Sequence, residues 1–183
     1  MTYEEANTVL AEADLLVSGA EVAIAIEQVA REITTRLKES NPVVLCIMNG
    51  GLIFAGQLLT RLVFPLEVDY VHATRYGLET KGVALNWSVR PHLDLRGRTV
   101  LLLDDILDEG ITLSAIADFC RQQGASEVLM AVLVEKLHLR KVTPGMCADF
   151  SGLEVGDRFL FGYGLDYKGY WRNAPGIYAV KGL

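Results

Sequence analysis

The sequence predicts an α/β fold built on a doubly wound, mainly parallel sheet flanked by helices. Two observations lead there. Short apolar runs rich in β-branched residues alternate with amphipathic helical segments along the chain. The most regular stretch reads strand (Thr99 to Leu103), helix (from Thr112) and strand (Val128 to Val134), and such a unit is right-handed and parallel when its strands share a sheet. At 183 residues, against a prior of roughly 150 per domain, one domain with room for a small appendage is expected.

Two helices open the chain. Thr2 with Glu5 and Ser18 with Glu21 have capping-box spacing, in which hydroxyl and carboxylate each satisfy a backbone N–H. Val22, Ile26, Val29, Ile33 and Leu37 then recur at helical spacing, with Glu27, Arg31 and Arg36 off that stripe. The period changes at Val43 to Met48, an apolar run between Asn41-Pro42 and Asn49-Gly50-Gly51, which reads as a buried strand feeding a glycine turn. A helix is expected from about Leu52 to Leu62. Leu66, Val68 and Tyr70 alternate with Glu67 and Asp69 as a half-exposed strand, and Val83 to Val89 gives another. Ala73 to Gly82 between them reads as a mobile polar loop. Thr99 to Leu103 is a strand, Asp104 to Gly110 a loop, and the helix from Thr112 carries Leu113, Ile116, Ala117 and Cys120 on one face before stopping at Gly124. Val128 to Val134 follows, then short strands after Pro144-Gly145, the aromatic stretch Phe159 to Trp171, and a last strand near Ile177 to Val180.

Composition narrows the function. Hydrophobic residues make up 51% and charged ones 22%, enough for a core and unlike a disordered chain. The 17 basic and 23 acidic side chains leave a formal charge of −6, so no general attraction to nucleic acid or anionic lipid is expected, and any bound anion must be held locally. The longest apolar run falls far short of the ~20 residues of a membrane span. Met1-Thr2-Tyr3-Glu4-Glu5 does not resemble a secretory signal, so a cytoplasmic location is expected. Cys46, Cys120 and Cys147 are too few and scattered for a disulfide framework, and Cys46 and Cys120 read as core thiols. His72, His92 and His138 share no metal-ligand spacing and read as surface or strand residues.

The chemistry concentrates in Val100 to Leu113. Asp104, Asp105, Asp108 and Glu109 crowd the carboxyl end of a buried strand, the edge where open α/β sheets bind ligands. Clustered anions raise one another's pKa and need a metal, a cation or hydroxyl donors to answer them. Gly110, Ile111 and Thr112 open a helix whose N–H groups suit a phosphate. A ribose bearing a terminal phosphate satisfies both halves. No glycine-spaced run ending in Lys-Ser or Lys-Thr is present, so a Walker-type loop fits poorly; a solvated acidic turn before a helix is the bland alternative.

Val100 to Leu113 resembles the phosphoribosyl-pyrophosphate signature of type I phosphoribosyltransferases, in the form found in the hypoxanthine-guanine members. The resemblance runs from about Pro42 to the end, through Asn49-Gly50-Gly51, Leu133-Val134-Glu135-Lys136, Phe159 to Tyr167, and Arg172. It implies the type I phosphoribosyltransferase fold, with a core at about 40–145 and a purine-binding hood from the N-terminal helices and about 146–183. It also implies a magnesium-dependent transfer of 5-phosphoribosyl from phosphoribosyl pyrophosphate to hypoxanthine or guanine, giving IMP or GMP and pyrophosphate, by a homodimer or homotetramer that engages neither nucleic acid nor membrane.

By the same resemblance, Asp104 and Asp105 hold the ribose hydroxyls and contribute to the metal site, and Asp108 takes the purine proton. Glu109, Gly110, Ile111 and Thr112 grip the 5′-phosphate. Relatives carry Thr or Ser where Glu109 stands, so Glu109 is expected to offer its backbone N–H and turn its carboxylate away. Lys136 donates to the exocyclic oxygen, which selects 6-oxopurines over adenine. Phe159 stacks on the purine, and the backbone near Leu160 reads its edge. Asp166, beside the purine, holds magnesium through water, and Arg172 contacts pyrophosphate. Asn49 and Gly50 form the pyrophosphate loop with a cis Met48–Asn49 peptide; many relatives have Lys or Arg at 49. Arg75-Tyr76 lies where relatives carry a Ser-Tyr or Thr-Tyr pair on a loop closing over the reaction. Other readings stay open: a phosphoribosyltransferase for xanthine or another base, a regulatory RNA-binding protein on the same fold, and a non-catalytic nucleotide-binding module. The acidic balance argues against RNA, and a substrate panel separates the rest.

Overall fold

The computed structural model describes residues 1–75 and 85–182. The elements run α1 (Tyr3–Glu12), β1 (Asp14–Ser18), α2 (Gly19–Leu37), β2 (Val43–Ile47), α3 (Gly51–Leu59), β3 (Glu67–Arg75), β4 (Leu85–Val89), β5 (Thr99–Leu107), α4 (Ile111–Gln122), β6 (Glu127–Leu137), β7 (Phe150–Gly156), β8 (Leu160–Phe161) and β9 (Gly176–Ala179). Six strands form one sheet in the order β4-β3-β2-β5-β6-β7, parallel throughout except for β4. The chain leaves β2 to one side for β3 and returns to the other side as β5. A crevice therefore opens beyond the carboxyl ends of β2 and β5, the switch point of such a sheet.

Alternation along the central strands feeds two cores. Val44, Cys46, Leu101 and Leu103 face α2 and α3, whereas Val43, Leu45, Ile47, Val100 and Leu102 face α4. Val22, Ile26, Val29, Ile33 and Leu37 are all buried, and both capping boxes form. Cys46 and Cys120 are buried thiols; burial pushes them up to about 12 and about 11 respectively.

Several elements differ from the sequence expectation. Asp104 to Leu107 is not loop but the continuation of β5, because Asp104, Ile106 and Leu107 pair with Val132, Val134 and Glu135. β6 likewise runs on to Leu137, where Lys136 and Leu137 pair with Val155 and Gly156 of β7, so Lys136 lies within the strand. Ala73 to Arg75 extend β3 against β4; Tyr76 and the remainder of the expected loop lie outside the described residues. Val68 and Tyr70 face outward, and it is the Asp69 carboxylate that turns inward, accepting from the N–H groups of Tyr70, His92 and Leu93. A small antiparallel sheet, β1-β9-β8, joins the two ends of the chain. Both α2 and β7, outside the expected 40–145 core, belong to the large sheet's packing. No described helix is long and apolar enough to cross a membrane.

Candidate active site

A cavity of about 440 Å³ occupies the crevice. Every site residue named from sequence and fully described lines it: Asn49 and Gly50 after β2, Asp104 and Asp105 on β5, Asp108 to Thr112 at the start of α4, Lys136 on β6, and Phe159, Leu160, Asp166 and Arg172 around the small sheet. Of Arg75 only the backbone is described, and Tyr76 is not.

Close backbone approach requires glycine at the centre. A Cβ on Gly50 would lie 2.3 Å from Asp105 Oδ2, and one on Gly51 would lie 2.6 Å from the Leu103 carbonyl. The Met48–Asn49 peptide is cis, as the resemblance implies. Gly110, at φ +78°, caps α4 without any side-chain hydrogen bond, so the helix presents its N-terminal amides to the cavity. The Glu109 carbonyl accepts from Val142 N at 2.7 Å.

The carboxylates divide by environment. Burial, then the adjacent Asp105 charge, pushes Asp104 well above the usual carboxylate range. Burial also raises Asp105, against the opposing pull of its hydrogen bond with Asp104 and of Arg172. Arg172 braces this region, with Nη2 2.5 Å from Asp166 Oδ1, Nη1 donating to the Gly164 carbonyl, and Asp105 Oδ2 at 3.7 Å. It enters the site already engaged by carboxylates.

Asp108 behaves oppositely. Partial burial pushes it up, but hydrogen bonds from Lys136 and His138, with the positive Lys136 ammonium, outweigh burial and hold it below the usual range. Lys136 Nζ lies 3.0 Å from Asp108 Oδ2 and 3.7 Å from Asp157 Oδ1. Asp157 is in turn held by Arg140 at 2.5 Å, and that hydrogen bond lowers it to about 2. His138 corrects the surface reading of the histidines: its side chain is 4% exposed, with Nε2 2.6 Å from Asp108 Oδ1. His138 lies one residue beyond the end of β6, and its contact with Asp108, thirty positions earlier in the chain, leaves no local signal in the sequence. Phe159 remains half exposed, its ring perpendicular to Tyr167 at 5.4 Å between centroids, and lines the cavity.

The arrangement offers amides and a helix terminus for a phosphate, buried carboxylates for hydroxyls or a metal, and a lysine–carboxylate pair facing an exposed ring. Residues 13–168 match the phosphoribosyl transferase domain family. The hypoxanthine-guanine phosphoribosyltransferase of Bacillus subtilis is 31% identical over 169 residues, 91% of this chain and 92% of that protein. The enzyme of the same description from Aquifex aeolicus is 34% identical over 91% of this chain and 94% of its own. Among solved structures, a hypoxanthine-guanine-xanthine phosphoribosyltransferase superposes with a TM-score of 0.79 at 27% identity, covering 92% of this chain and 94% of that one.

Proposed function

We propose, on the premise that this chain belongs to the phosphoribosyl transferase domain family, that it is a purine-salvage enzyme transferring 5-phosphoribosyl from phosphoribosyl pyrophosphate to hypoxanthine or guanine, with release of pyrophosphate. The observation that carries this is the division of one cavity into an amide-lined end at Gly110 to Thr112, a carboxylate floor at Asp104 and Asp105, and the Asp108–Lys136 pair. A phosphorylated sugar and a 6-oxopurine need those three kinds of partner together.

In this reading the α4 amides and Thr112 bind the 5′-phosphate while Asp104 and Asp105 accept from the ribose hydroxyls. Lys136 donates to the purine's exocyclic oxygen, and Phe159 stacks on the ring beside the Leu160 backbone. Asp108 accepts the proton that the purine loses as its other nitrogen attacks the sugar. Asn49 and Gly50 border the leaving pyrophosphate, and Arg172 holds Asp166 while turning toward that anion. Arg75 and Tyr76 are proposed to close over the reaction and exclude water. The small β1-β9-β8 sheet is proposed as the purine-side hood.

Magnesium is proposed to be held by one or two of Asp104, Asp105 and Asp166 at a time. Among the described residues no group of three or more His, Cys, Asp or Glu is placed to hold a metal ion, whereas magnesium takes one or two carboxylates completed by water and substrate phosphate. Magnesium bound there would offset the charge of the pyrophosphate. A cytoplasmic homodimer or homotetramer is proposed, supported by three free cysteines and by exposed apolar side chains such as Ile24, Leu52 and Val63.

The test is a panel. With phosphoribosyl pyrophosphate and magnesium, hypoxanthine and guanine are expected to yield nucleotide and adenine none. Product from xanthine alone, or no product at all, would overturn the reading.

A further inference from the structure

We infer that His138 is the positioning residue for Asp108, holding its Oδ1 through Nε2–H in a tautomer imposed by the Arg140 backbone. The inference rests on Asp108 being the acceptor of the purine proton. Lys136 and His138 project from the same face of the chain and divide one carboxylate between them, Lys136 Nζ at 3.0 Å from Oδ2 and His138 Nε2 at 2.6 Å from Oδ1. The second ring nitrogen settles the proton. Arg140 N lies 3.0 Å from His138 Nδ1, and a backbone N–H only donates, so Nδ1 is bare and the neutral ring carries its hydrogen on Nε2.

That tautomer closes one route and leaves another. His138 cannot accept the proton from Asp108, because Nε2 already carries hydrogen and Nδ1 is covered by an amide. It can orient. Each carboxylate oxygen has two lone-pair sites, so with one taken by Lys136 and one by His138 the carboxylate plane is fixed while acceptor capacity remains for the purine. Arg140 pins both donors, His138 through its own N–H and Lys136 through Asp157, which its guanidinium grips at 2.5 and 3.0 Å. The charged groups around Asp108 are thus Lys136 and, behind it, Asp157 and Arg140, with Glu109 adjacent in the chain. The ionised state of Asp108 is favoured by its two donors against burial, consistent with a carboxylate kept ready to accept.

Two variants of the full chain test this: His138→Leu, which removes the donor, and His138→Gln, which keeps a side-chain N–H. In His138→Leu the midpoint of the Asp108 carboxyl, followed by 13C chemical shift, is expected to rise by about one pH unit, a tenfold gain in proton affinity on losing one charge-assisted hydrogen bond. Turnover of hypoxanthine should fall by about tenfold at neutral pH through lost orientation, with the KM for phosphoribosyl pyrophosphate within about twofold of wild type, and His138→Gln should recover most of both. The 15N shifts of wild-type His138 should report the Nε2–H tautomer. An Nδ1–H tautomer, an Asp108 titration identical in wild type and His138→Leu, or a His138→Gln variant no better than His138→Leu would overturn the inference. Because the NMR readouts need no turnover, they decide the positioning separately from the purine panel, which decides the activity.

Discussion

Asp108 has one donor on each oxygen, and the consequence is a carboxylate that stays ionised despite partial burial, whereas Asp104 and Asp105, four and three residues before it, are raised by theirs. Asp108→Asn preserves shape but cannot take a proton at neutral pH, so turnover is expected to fall by about 10²–10⁴-fold while donor binding, measured by calorimetry, persists. Turnover within a factor of ten of wild type would remove Asp108 from that role. The acidic residues themselves were legible because four carboxylates at a strand end demand an explanation. His138 was not singled out, since its significance lies in the 2.6 Å contact with Asp108, thirty positions away in the chain.

The turn after β8 shows how one element positions another. Gly164, at φ +114°, exchanges hydrogen bonds with Arg172, donating N–H to its carbonyl and accepting from its guanidinium, and a Cβ there would lie 2.4 Å from the Gly50 carbonyl and 3.2 Å from Asp105 Cβ. The small sheet therefore rests directly on the loop after β2. Gly164→Ala is expected to lower stability by the ~1–3 kcal/mol of a forced backbone conformation, about 2–12 °C in Tm for a chain of this size, and to lose most activity as Gly50 and Asp105 shift. Gly56→Ala, on α3 with nothing within 4 Å, is the control and should not lower Tm. At this scale local signals served well where they were local: both capping boxes and the buried stripe of α2 form as the spacing implies. They failed where pairing decides. β1 is five residues between two helices, with a largely exposed pattern, and exists because β9 lies against it from the other end of the chain. Asp104 to Leu107 reads as loop by composition, yet β6 supplies a partner that keeps it in the sheet.

Across the molecule, the cavity gathers residues from the loops after β2, β5 and β8, from β6 and from the segment before β9, so a ligand filling it ties the large sheet to the small one. Phosphoribosyl pyrophosphate with magnesium, at 100 times its Kd, contributes about 2.7 kcal/mol, and Tm is expected to rise by about 5–11 °C. Single-stranded RNA at equal phosphate concentration should leave Tm unchanged, as a net charge of −6 implies. A shift with RNA and none with the sugar would reverse the assignment of this site. By itself the sequence determined the sheet class, the order of the main elements and the place of the acidic loop, because hydrophobic period, helix caps and glycine turns act over a few neighbouring residues. Only the tertiary structure decided how far β5 and β6 extend, which face of β3 turns inward at Asp69, that both ends of the chain meet in one sheet, and that His138 reaches Asp108. Each of these depends on hydrogen bonds and burial between residues distant in the chain, whose energies no local pattern records.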